Sequence, residues 1–158
     1  MLTLTNVFTK MMNFKNVFRW HLPFLLLLGL FSLRAVAADT LLILGDSLSA
    51  GYRLPIERAW PTLLAEQWQK KPGAPQLVNA SISGDTAAQG LARLPALLKQ
   101  HQPRWVLIEL GANDGLRGFP APDMQRDLGQ IITRVQQAGA QPLLMQIRIP
   151  PNYGRRYT

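Results

Sequence analysis

The sequence predicts an α/β fold: a three-layer sandwich around a flavodoxin-like parallel sheet. From Thr40 onward short apolar runs alternate with amphipathic stretches, the apolar runs are almost uninterrupted, and Gly or Pro stands at most junctions. Strands buried on both faces read as continuous apolar runs, and parallel neighbours must be joined by right-handed helical crossovers. Such alternation places helices on both sides of one sheet.

The elements follow in order. Leu41-Leu42-Ile43-Leu44 makes residues 40–44 the first strand, and an amphipathic stretch predicts a helix around residues 59–68. After the breaker Lys71-Pro72-Gly73-Ala74-Pro75 comes a strand over residues 77–81, then a helix over about 86–100 that ends before Gln102-Pro103. A third strand spans residues 105–110. Gly118-Phe119-Pro120 separates it from a helix over about 123–138, and Gly139 precedes a fourth strand over 142–149. There is no internal repeat and no linker, so residues 38–158 form one domain.

The amino terminus has a different character. Lys15 and Arg19 flank an apolar run over residues 22–33 that is broken by Pro23, Gly29 and Ser32, and Ala35-Val36-Ala37 offers a small-residue cleavage pattern. This is the anatomy of a secretory signal peptide over residues 1–37, with a periplasmic destination. Met11 or Met12 can serve as the start, which makes the first ten residues possible extra upstream sequence. The run is shorter than the roughly 18 apolar residues of a membrane span and ends at Arg34, so no stable anchor is expected after cleavage.

Of the formal charge of +8, cleavage after Ala37 leaves 13 Lys or Arg against 9 Asp or Glu, a net of +4. That excess is scattered, with only Lys70-Lys71 and Arg155-Arg156 as pairs, and no basic stripe for nucleic acid forms. The chain has no cysteine, which excludes a disulfide framework and thiolate metal sites.

In open parallel sheets functional groups gather beyond the carboxyl ends of the strands. After the first strand stands Gly45-Asp46-Ser47-Leu48-Ser49, where a glycine turn can project the Ser47 hydroxyl as a nucleophile. A serine there can equally cap a helix, and Asp46 reads as a turn or capping residue. After the second strand, Gly84 can leave its backbone N–H open to a ligand, or be an ordinary loop glycine before an Asp85 or Thr86 cap. After the third, Asn113 in Gly111-Ala112-Asn113-Asp114-Gly115 can donate its amide to developing negative charge, or belong to a turn.

In their order on successive strands, Gly45-Asp46-Ser47-Leu48-Ser49, Gly84 and Gly111-Ala112-Asn113-Asp114 resemble the first three blocks of the SGNH, or GDSL, hydrolase family. The resemblance implies that Ser47 is the nucleophile, and that the Ser47 and Gly84 backbone amides and the Asn113 side chain form an oxyanion hole. It implies hydrolysis of acyl esters and thioesters through an acyl-serine intermediate, with a small-molecule acyl substrate and no metal or organic cofactor. Family members end in a fourth block, Asp-x-x-His, which supplies the general base and its orienting acid. Residues 38–158 contain no such block, so the final strand and helix are expected to be missing and the chain to be inactive as written.

His101 is the only histidine after Ser47, and its position just before the third strand puts it at the opposite end of the sheet. Asp114 neighbours Asn113, but a carboxylate of ordinary pKa is a poor base for a hydroxyl. Without an outer neighbour the strand over 142–149 should expose an apolar edge and favour aggregation, whereas a complete chain should be monomeric. Two rival readings remain: a non-catalytic small-molecule or anion-binding module using the Ser47 and Gly84 loops, and a carbohydrate esterase of the same superfamily.

Overall fold

The computed structural model describes residues 39–147. The expected signal peptide over residues 1–37, and the calls on Arg148 and beyond, fall on residues outside them. Four strands, β1 (Thr40–Gly45), β2 (Gln76–Asn79), β3 (Trp105–Glu109) and β4 (Gln141–Leu144), form one sheet in the order β2-β1-β3-β4. All pairings are parallel, with Ile43 opposite Asn79, Gly45 opposite Glu109 and Ile108 opposite Leu144. This is the predicted α/β architecture. Its strand order follows the first four strands of a flavodoxin-like sheet.

The helices α1 (Ser47–Ala50), α2 (Trp60–Gln69), α3 (Ala87–His101), α4 (Ala112–Leu116) and α5 (Ala121–Gln137) fall between the strands, with a short 3-10 turn at Ile56–Arg58. The long ones sit within one to two residues of their predicted starts. α1 and α4 were not predicted as helices, because four or five residues are too few for a 3.6-residue period to show.

Moving from β1 to β2 and then back across β1 to β3, right-handed crossovers put α2 on one face and α3 on the other. Leu42, Leu44, Val106 and Ile108 pack with Leu94 of α3 and with Ile131 and Val135 of α5, all fully buried. Leu41 and Ile43 point to the α2 side, since side chains alternate along a strand. The central strand β1 is therefore buried on both faces, which explains its unbroken apolar run.

The last strand is shorter than predicted. β4 ends at Leu144, and among the described residues it pairs only with β3. Leu143 and Leu144 of β4 and the following Met145 are 39%, 54% and 38% exposed. Pro142 has no N–H to donate and fits an edge strand for that reason.

Candidate active site

β1 ends at Gly45, opposite Glu109 at the end of β3, so the loops that follow these strands open on one edge of the sheet. Asp46 caps α1: its Oδ1 accepts from the Leu48 N–H at 3.0 Å. Ser47 is the first helical residue, half-buried, and its hydroxyl makes no hydrogen bond with a described residue. The capping alternative for Ser47 is thereby taken by Asp46.

Gly84 lies in the loop between β2 and α3 with φ +88°, a left-handed conformation that glycine adopts without strain. Thr86 and Gln89 form a reciprocal capping box at the start of α3, so the cap falls on Thr86 and leaves Gly84 outside the helix. The Gly84 carbonyl accepts from Arg117 Nη2 at 2.7 Å, which orients its peptide unit. Neither the Ser47 nor the Gly84 backbone N–H is donated to another described backbone or side-chain acceptor.

Asn113 joins the two loops. Its Nδ2 donates to Asp46 Oδ2 at 3.0 Å and to the Asp85 carbonyl at 2.9 Å, the immediate neighbours of Ser47 and Gly84. An amide nitrogen has two hydrogens, and both are engaged. An oxyanion must therefore share or displace one of these two acceptors to receive one. Asn113 sits in α4, whose N-cap Gly111 has φ +106°, so the stretch read as a possible turn is a short helix.

Asp114, 3% exposed, accepts from the Ala87 N–H at 2.9 Å and so satisfies the first turn of α3 from another loop. His101 closes α3 next to the start of β3, where Trp105 pairs with Leu41. The four residue steps from Trp105 to Glu109 span about 13 Å, which places His101 at the far edge from Ser47.

Three residues beneath the nucleophile turn were not singled out in the sequence. Arg93 donates from Nε to Asp85 Oδ2 at 2.7 Å, from Nη2 to the Gly45 carbonyl at 3.3 Å, and from Nη1 to the Ala80 carbonyl. It ties the loops after β1 and β2 together. Glu109 is fully buried; its Oε2 accepts from Ser49 Oγ at 2.8 Å and from the Asp46 N–H at 3.3 Å. Asn79 Nδ2 donates to the Ser49 carbonyl at 2.8 Å. An acid at the end of an apolar strand was the available signal for Glu109, since charged residues are seldom fully buried without a purpose.

Gly45 is required by close approach. A Cβ there would stand 2.7 Å from Ser81 Oγ, 2.9 Å from Glu109 Oε2 and 3.0 Å from Ser49 Cβ. Gly45→Ala is expected to destabilise the chain by about 1–3 kcal/mol through overpacking. An unchanged urea midpoint would contradict it.

Residues 43–158 match the GDSL-like Lipase/Acylhydrolase family. The chain belongs to this family. It is 69% identical over 147 residues to Thioesterase 1/protease 1/lysophospholipase L1 of Escherichia coli (strain K12), covering 93% of this chain and 69% of that protein. It is 55% identical over 122 residues to the arylesterase of Vibrio mimicus, covering 77% of this chain and 61% of that one. Among solved structures, the psychrotrophic esterase EstA from Pseudoalteromonas sp. superposes with a TM-score of 0.72 at 53% identity, over 75% of this chain and 65% of that chain. The chain thus spans between about three fifths and seven tenths of these relatives. Family membership makes acyl-ester hydrolysis by a serine enzyme the reaction class.

Proposed function

We propose that this chain carries the nucleophile and oxyanion half of a hydrolase for acyl esters and thioesters, with small-molecule acyl compounds as substrates. The observation that supports it best is the Asn113 amide, bonded at once to the residue before Ser47 and the residue after Gly84. One carbonyl oxygen near Ser47 can then meet the two backbone N–H groups and the amide together.

In this reading Ser47 Oγ attacks the acyl carbonyl carbon as its proton passes to a base, and the carbonyl oxygen becomes an oxyanion facing Ser47 N–H, Gly84 N–H and Asn113 Nδ2. Collapse expels the alcohol or thiol, which takes up the proton, and leaves an acyl-serine. Water then attacks the acyl-serine and restores the hydroxyl. Donors preorganised toward developing charge supply much of such a barrier reduction.

His101 is at the wrong edge to be the base, and Asp114 is committed to Ala87. The base is proposed to come from outside these 158 residues. Leu48, Ile82, Leu116 and Phe119, all exposed in the segments that follow β1, β2 and β3, suit contact with an acyl chain. The amino-terminal segment supports a periplasmic location and no retained anchor; among the described residues no helix is long and apolar enough to cross a membrane.

The test is hydrolysis of a p-nitrophenyl acyl ester by the 158-residue chain beside a form continued in frame past Thr158. Activity confined to the continued form is the expected result. Serine-dependent turnover by the 158-residue chain would refute the placement of the base.

A further inference from the structure

We propose that Glu109 is a positioning residue: its carboxyl group clamps the turn that carries Ser47 and, through Asp46, sets the amide of Asn113. The inference rests on the reading of Ser47 as nucleophile, but its physical core can be tested without turnover.

Glu109 reaches the turn from both sides. Oε2 accepts from the Asp46 N–H immediately before Ser47 and from the Ser49 hydroxyl two residues after it. A Cβ on Gly45, the residue before Asp46, would stand 2.9 Å from the same oxygen, so the carboxyl group takes up the space beside the turn. Asp46 passes the constraint on, because the two oxygens of its carboxylate accept from Leu48 N–H and from Asn113 Nδ2. A displacement of Glu109 therefore moves both the nucleophile and one oxyanion donor.

Burial and the neighbouring acid favour the neutral form of Glu109, against the two hydrogen bonds it accepts, which favour the ionised one. Asp46, from the turn before α1, is the acidic group that faces it. Ser49 of α1 faces it as a hydroxyl, and Ser81 of the loop after β2 meets the same side of Gly45. Asp85 adds a further negative charge toward Asp46. Arg93 of α3 is the nearby cation, and it is bonded to Asp85 and to the Ala80 and Gly45 carbonyls and makes no hydrogen bond to Glu109. Two carboxyls sharing a buried site without a cation of their own cannot both ionise cheaply. Burial, with the Asp46 charge beside it, pushes the Glu109 carboxyl up to about 7, and burial likewise raises that of Asp46. The interaction between the two side chains lowers Asp46 and raises Glu109.

A folded-state value raised from 4.5 to about 7 means that the stabilisation is fully present below about pH 4.5 and is lost as pH rises through about 7. That loss corresponds to a rise in the unfolding equilibrium constant on the order of 10²-fold.

The experiment compares the full chain, Glu109→Gln and Glu109→Ala. Urea unfolding of the 158-residue chain between pH 5 and pH 8 should show the loss of stability, and Glu109→Gln should flatten it. The Asp46 amide proton resonance should titrate with a midpoint near 7 in the wild type and stay constant in Glu109→Gln. In a form of the chain that turns over, Glu109→Ala should lower kcat about tenfold or more with little change in KM. Glu109→Gln, whose Oε1 can accept from Asp46 N–H and Ser49 Oγ as Glu109 Oε2 does, should recover most of that loss. A Glu109→Gln chain with the wild-type pH slope, or a folded Glu109→Ala with wild-type kcat, would overturn the proposal. Hydrolysis that survives Ser47→Ala strikes the nucleophile assignment alone and leaves the pH and resonance outcomes to decide the clamp.

Discussion

Ser47→Ala, in a form of this chain that hydrolyses acyl esters, is expected to lower kcat by on the order of 10⁶-fold, as loss of a serine nucleophile does. The unfolding midpoint should barely move. Asp46 is the cap of α1, and the Ser47 hydroxyl holds no described partner, so nothing buried is left unsatisfied when it is removed. Substitutions away from structural features usually change stability by no more than about 0.5 kcal/mol. This separation of rate from stability is the diagnostic part of the prediction. An anion-binding module would keep its ligand affinity and have no rate to lose, and a capping serine would lower the melting temperature instead. Steady-state rates with a p-nitrophenyl ester, beside thermal melts of both forms, settle the matter; hydrolysis within tenfold of wild type would remove Ser47 from the mechanism.

Asn113→Ala should harm both properties. Loss of one preorganised oxyanion donor typically costs about 3–4 kcal/mol of transition-state stabilisation, equivalent to about 10²–10³ in kcat. The same change strips a donor from Asp46 Oδ2 and from the Asp85 carbonyl, which the structure shows bonded to this amide. An acceptor left unpaired in a buried setting costs about 1–3 kcal/mol, so the melting temperature should fall as well. A purely structural Asn113 would give the second effect without the first, once rates are measured well below the new midpoint. The engaged state of both amide hydrogens adds a second expectation. One of these two bonds has to loosen as the oxyanion forms, so a phosphonate adduct on Ser47 should shift the Asn113 side-chain amide resonances.

The α/β class, the four strands and the three long helices were legible because each rests on a local pattern. An apolar run such as Leu41 to Leu44 has few other uses in a chain of this composition, and the 3.6-residue period of α3 and α5 survives any detail of packing. Ser47, Gly84 and Asn113 were nominated by position at strand ends and by family resemblance. The physical reading of each left a bland alternative open. For Ser47 the alternative fell to a contact, Asp46 with Leu48, that a neighbouring residue happened to supply.

Residue order and composition determined the alternation of elements, the expected edge for the functional loops, the absence of cysteine chemistry and the placement of His101 away from Ser47. All of these depend on short-range periodicity and on the direction of parallel strands. Only the tertiary structure decided that Asn113 bridges the loops after β1 and β2, that Arg93 stitches them together, and that Glu109 lies beneath the turn. Glu109 and Asp46 are 63 positions apart in the chain yet share a hydrogen bond. Their ionisation depends on burial and on each other's charge, quantities that exist only once β1 and β3 lie side by side.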